Sequence, residues 1–112
     1  MSVQAERAEF VKELFGALGP ISVRAMFGGA GIYCDGVMFA LIGQDQEIYL
    51  KAEGVLASAL AAGGSTPFTY DRDGASRTMN YWRMPDDGMD DPEEACMWAA
   101  RSLDIARAAQ RG

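Results

Sequence analysis

The chain has 112 residues, 49% hydrophobic and 23% charged, a composition expected of one ordinary folded domain with its own core. Ten basic residues against sixteen acidic ones leave a net charge of −6, the wrong sign for a protein that grips duplex DNA by neutralising phosphates. No histidine occurs anywhere, which removes the commonest general base, the Ser-His and Cys-His nucleophile pairs and the usual zinc sets.

The first predicted element is an amphipathic helix from Val3 to about Leu18. Val3, Phe10, Val11, Leu14 and Leu18 recur at helical spacing, and Gly19-Pro20 stops the helix. Strand-like runs follow at 22–27, 31–34, 37–42 and 47–51. Asp35-Gly36 is a two-residue hairpin signal, because both turn positions need positive φ, and residues 43–46 make the next turn. Connections this short imply an antiparallel meander. Residues 52–62 change period to a short helix with Val55, Leu56, Ala59 and Leu60 on one stripe, closed by Gly63-Gly64. Residues 67–72 and 76–84 read as a hairpin around Asp73-Gly74, on which adjacent Tyr81 and Trp82 face opposite sides. Asp91 as N-cap, Pro92 and Glu94 open a last helix running to about Ala109, with Trp98, Leu103, Ile105 and Ala106 inward. The expected fold is α+β: an antiparallel sheet of about six strands packed with three helices, in the order α-β-β-β-β-α-β-β-α.

Few motifs carry chemistry. The glycines in "FGGAGIYC" lack the Lys-Ser/Thr of a phosphate loop, and a strand rather than a helix follows them. They read as a tight passage with close backbone packing. The acidic run "DDGMDDPEE" fails the calcium-loop spacing in either register and reads as a solvated loop leading into a helix N-terminus. Cys34 and Cys96 are expected to be inert core thiols in a reducing compartment. The serines and threonines have no partner base signalled by spacing. No apolar run reaches the roughly 20 residues of a membrane span, and the acidic N-terminus is no secretory signal, so the expected location is cytoplasmic. Arg24, Tyr33, Tyr49, Tyr70, Tyr81, Trp82 and Arg83 are the residue types that anchor interfaces.

The blocks "RAMFGGAGIYCDGVMFALI", "IYLK", "PFTY", "MNYWRMP" and "MWAARSLDIA", in that order, resemble the N-terminal domain of the TfoX/Sxy family from about Val3 to Ala109. The resemblance implies positive regulation of bacterial competence genes, as a coactivator beside a DNA-bound cyclic-AMP receptor protein. Full-length members look like two-domain proteins, so a chain ending at Gly112 is expected to be a single-domain member. The family's motifs carry no established catalytic residue. The combined expectation is a regulatory module that binds a protein partner and neither DNA directly nor a membrane, with no catalytic, cofactor or metal residues. Its expected contact surface is Arg24, Phe27, Tyr33, Lys51, Tyr81, Trp82 and Arg83, and a homodimer through a sheet edge stays open. The alternative is a small-molecule or peptide pocket between sheet and helices, lined by Tyr33, Tyr81 and Trp82. An enzyme using Lys51, Cys34 or paired carboxylates ranks last.

Overall fold

Glycine and proline punctuation divides the chain into strands and helices much as their local chemistry dictates. The computed structural model describes residues 3–26 and 29–111. Helix α1 (Val3–Leu14) leads into strands β1 (Ile21–Met26), β2 (Gly29–Cys34), β3 (Val37–Ile42) and β4 (Ile48–Lys51). Helix α2 (Gly54–Ala62), strands β5 (Pro67–Arg72) and β6 (Ala75–Arg83), and helix α3 (Pro92–Arg111) complete it. The order is the expected α-β-β-β-β-α-β-β-α. The strands form one antiparallel sheet ordered β1-β2-β3-β4-β6-β5, so β6 returns between β4 and the edge strand β5.

The turns follow backbone chemistry. Asp35 and Gly36 have φ of 50° and 80°, and Asp73 and Gly74 have 53° and 77°, the pair of left-handed residues that a tight hairpin needs. Helix α2 closes through Gly64 at φ 94°, with the Ser65 N–H donating to the Leu60 carbonyl at 3.0 Å. Helix α3 starts at Asp91, whose Oδ1 accepts the backbone N–H of Glu93 at 3.0 Å.

Most boundaries fall within two residues of the sequence expectation, and three departures have a clear physical reason. The α-helix ends at Leu14 rather than Leu18. Phe15 leaves helical geometry to enter the core, and Gly16–Leu18 form one 3-10 turn. Strand β2 begins at Gly29 rather than Gly31, because Gly29 already pairs with Met26 and Ala30 with Ile42. The acidic run is not wholly a solvated loop: Asp86–Gly88 make a 3-10 turn, and Gly88 is buried against Met84 and Ala95.

Helices α1 and α3 cover one face of the sheet. Val11, Leu14 and Phe15 meet Ile32, Phe39, Ile48 and Leu50 from the strands, and α3 contributes Ala95, Ala99, Leu103 and Ala106. The alanines let α3 lie close to the sheet. Phe15 and Phe39 are fully buried and meet edge to face at 5.4 Å between centroids. Burying each ring contributes about 3 kcal/mol. Trp98 and Ile105 are half-buried and join Trp82 against Ala52, Leu56 and Leu60, a satellite cluster under α2.

The opposite face carries a smaller core of Leu41, Tyr49 and Tyr81, with Met38, Phe68 and Met79 packed on it. The β5–β6 hairpin beside it is unevenly paired. Pro67 pairs with Trp82 and Thr69 with Thr78, so Phe68 alone faces the β6 segment Met79-Asn80-Tyr81. Extra residues in one strand bend it, and Phe68 and Met79 come to lie against the helix-free face.

Candidate functional site

Side chains alternate along a strand, so cross-strand partners share a face. Arg24 pairs with Gly31, Leu41 with Tyr49, and Tyr49 with Arg83, while Tyr33 pairs with Met38 and Lys51 with Tyr81. All of these lie on the face away from α1 and α3. The structure therefore brings Arg24, Tyr33, Lys51, Tyr81 and Arg83 of the expected contact surface onto one side. Trp82 lies on the other side, half-buried against the α2 cluster. Phe27 lies outside the described residues.

Within this face the cations sit on rings. The Arg24 guanidinium lies 5.1 Å from the Tyr33 ring centroid, and the Lys51 ammonium lies 5.7 Å from that of Tyr81. Burial pushes the Tyr81 phenol above its ordinary pKa, and the neighbouring Tyr33 adds to the rise. Arg83 donates from Nε to Glu47 at 3.3 Å and from its terminal nitrogen to Asp86 at 3.0 Å, and Glu47 chiefly holds its pKa up.

The glycines shape this surface. A Cβ on Gly29 would collide with the Ile42 carbonyl oxygen, so β2 and β3 approach here as only glycine allows. A Cβ on Gly31 would lie 3.1 Å from Met26 Sδ, 3.1 Å from the Tyr33 ring and 3.3 Å from Met38 Cε. These side chains fill the space that Gly31 leaves. The expected close backbone passage is thus found at Gly29, while Gly28 lies outside the described residues.

Beside the cationic pairs lies a concavity of about 1230 Å³. Met26, Gly29 and Leu41 line one side, the β3–β4 turn with Gly43 and Asp45 closes one end, and Thr66 with Pro67–Asp71 of β5 forms the outer wall. It opens on the helix-free face, not between sheet and helices, and Tyr33, Tyr81 and Trp82 do not line it. Its aromatic lining is Tyr49, Phe68 and Tyr70. Phe68 meets Tyr49 edge to face at 5.0 Å and lies nearly parallel to Tyr70 at 6.4 Å. The Tyr49 hydroxyl donates to Asp45 Oδ2 at 2.7 Å, while Asp45 Oδ1 accepts the Glu47 N–H at 3.1 Å. Burial first, then the hydrogen bond to Asp45, pushes the Tyr49 phenol up to about 12. Tyr49 and Tyr70 carried an interface signal as residue types. Phe68, Asp45 and Met79 carried none, because their convergence depends on the order β4-β6-β5 and on the β6 bend.

The other reactive groups are held quietly. Cys34 is buried and its thiol donates to the Leu18 carbonyl at 3.7 Å, while Cys96 donates to that of Leu14 at 3.4 Å. Burial raises both thiols, which keeps them in the unreactive protonated form. Among the described residues no three His, Cys, Asp or Glu side chains gather as a metal set, and no helix is long and apolar enough to cross a membrane.

The family model of the TfoX N-terminal domain matches residues 13–106, from the end of α1 through every strand into α3. No curated protein matches the chain.

Proposed function

The chain belongs to the TfoX N-terminal domain family, and we propose on that footing that it is a non-enzymatic regulatory domain acting by protein contact through the helix-free face of its sheet. The setting is the bacterial cytoplasm, and the process is control of transcription of the competence type, with the domain as coactivator beside a DNA-bound receptor. The observation that carries this reading is the face itself, where Arg24 and Lys51 lie over Tyr33 and Tyr81 beside an aromatic groove. Aromatic and arginine side chains are the ones that anchor interfaces. The net charge of −6 favours a protein rather than a duplex as the direct partner. Ionisable groups on the face are already engaged, Tyr49 with Asp45 and Arg83 with Glu47 and Asp86, an arrangement suited to holding shape.

The test is transcription in vitro from a promoter that depends on the cyclic-AMP receptor protein. The domain is expected to raise transcript yield, and Arg24→Glu with Lys51→Glu is expected to abolish that rise while the protein stays folded. No rise with the unaltered domain would remove the reading. A low-salt mobility shift with duplex DNA alone is expected to show no retardation.

A second reading has its own observation. The concavity of about 1230 Å³ exceeds the roughly 300 Å³ at which small-molecule sites begin, so a bound small ligand is the alternative.

A further inference from the structure

Strand β1 ends the sheet, and its bonds to β2 decide what its outer side offers. The pairing runs without a shift from Ile21 opposite Cys34 to Met26 opposite Gly29, and the Pro20 carbonyl accepts the Asp35 N–H at 3.1 Å. In an antiparallel ladder, bonded pairs alternate with unbonded ones. Ser22, Arg24 and Met26 therefore turn their backbone groups toward β2, while Ile21, Val23 and Ala25 turn theirs outward. Among the described residues no other segment pairs with that outer side. The core is also thinly covered there. Ile21 and Val23 are half-buried and Ala25 is exposed, whereas their β2 partners Cys34, Ile32 and Ala30 are buried.

The two edges of the sheet differ. Strand β5 opens with Pro67 and carries Asp71, features that discourage an added strand. Strand β1 has neither proline nor carboxylate, and its one charge, Arg24, is held 5.1 Å from the Tyr33 ring on β2, back from the free edge. We propose that β1 pairs with β1 of a second copy of this chain, antiparallel, about a two-fold axis at Val23. In this register Val23 meets Val23 of the second copy and Ile21 meets Ala25, so every outward N–H and carbonyl finds a partner. Ser22 then faces Arg24 of the second copy. A slide of two residues one way sets Arg24 against Arg24, and the other way leaves Ala25 opposite Gly19, beyond the strand. The half-covered Ile21 and Val23 gain apolar neighbours, and the two helix-free faces join on one side of a widened sheet. The pairing stands independently of the protein-contact reading.

The test is sedimentation velocity of the full chain from about 1 μM to about 1 mM, where a monomer is expected to give way to a dimer. Ser22→Arg sets two like-charge contacts in each dimer and is expected to weaken it about tenfold, while Ser22→Glu is expected to tighten it about threefold. Ser22 is exposed, so both variants keep the monomer's fold. Ala25→Pro removes an outward N–H, which an edge strand tolerates, and is expected to abolish the dimer. Amide hydrogen exchange at low and high concentration is expected to show added protection at Ile21, Val23 and Ala25 and none at Ser22, Arg24 and Met26. A chain that stays monomeric to about 1 mM overturns the proposal. So does a dimer unchanged by Ser22→Arg, or one whose added protection falls on β5. Should Ala25→Pro fail to fold, the opposed Ser22 variants and the alternating protection still decide.

Discussion

Tyr49 donates its phenolic proton to Asp45 across the turn that joins β3 to β4, at 2.7 Å, and the same carboxylate accepts the Glu47 N–H. The bond ties the wall of the groove to its floor. It survives only while the phenol is protonated, and burial together with Asp45 holds that phenol up to about 12.

Among the four tyrosines, one is therefore expected to ionise near pH 12 when phenolate absorbance is followed, and Tyr49→Phe is expected to remove that component. A phenol raised in the folded state binds its proton more tightly there than in the unfolded chain. Its contribution to stability is then complete below the unfolded value near 10 and is lost as pH rises through about 12. Urea midpoints measured across that window are expected to fall more steeply for the wild type than for Tyr49→Phe, which at neutral pH costs about 1 kcal/mol.

Two glycines of one strand are expected to respond differently to the same methyl group. Gly29→Ala drives a Cβ into the Ile42 carbonyl, a backbone atom that cannot move without breaking the β2–β3 ladder. It is expected to cost about 3 kcal/mol or to prevent folding. Gly31→Ala meets mainly the mobile ends of Met26 and Met38, and is expected to cost about 1 kcal/mol. Denaturant unfolding of the two variants checks the order, and an equal loss would contradict the close passage at Gly29.

Asp91 is the cap of α3, accepting the N–H groups of Glu93 and Glu94 at 3.0 and 3.5 Å. Asp91→Ala is expected to lower stability by about 1 kcal/mol, while Asp91→Ser largely retains it. Thermal unfolding followed by circular dichroism separates the two.

Ser102 is fully buried on α3, and its hydroxyl donates to the Trp98 carbonyl one turn back at 3.4 Å. That bond competes with the helix's own pattern, and alanine is the better helix former. Ser102→Ala is expected to change stability by no more than about 0.5 kcal/mol in either direction. A loss several times larger in a urea titration would assign the hydroxyl a further partner.

The sequence signals that read correctly are the local ones. Asp35-Gly36 and Asp73-Gly74 specify their turns because positive φ at adjacent positions leaves few alternatives, and Asp91-Pro92 specifies a helix start for similar reasons. The β1–β4 meander follows from short connections. The placement of β6 between β4 and β5 has no comparable local cause, since it is settled by which apolar faces can be buried together. Phe15 shows the same limit: it keeps the helical phase of Val11, yet it fills the core from a residue outside the helix, at φ −103°. The groove was least legible. Phe68, Asp45 and Met79 are far apart along the chain, and the strand order β4-β6-β5 together with the unequal pairing at Phe68 brings them to one hollow.

Tyr81 and Trp82 are neighbours in the chain that belong to different clusters, the first with Leu41 and Tyr49 and the second with Leu56 and Leu60. A slip of β6 by one residue would exchange them. The indole would be forced into the space of the smaller ring, and the phenol would turn its hydroxyl toward aliphatic side chains. Both errors raise the energy together, so this dipeptide acts as a lock on alignment. A chain with β6 docked one step out of register gains neither cluster, so two faces of the sheet vote on a single alignment.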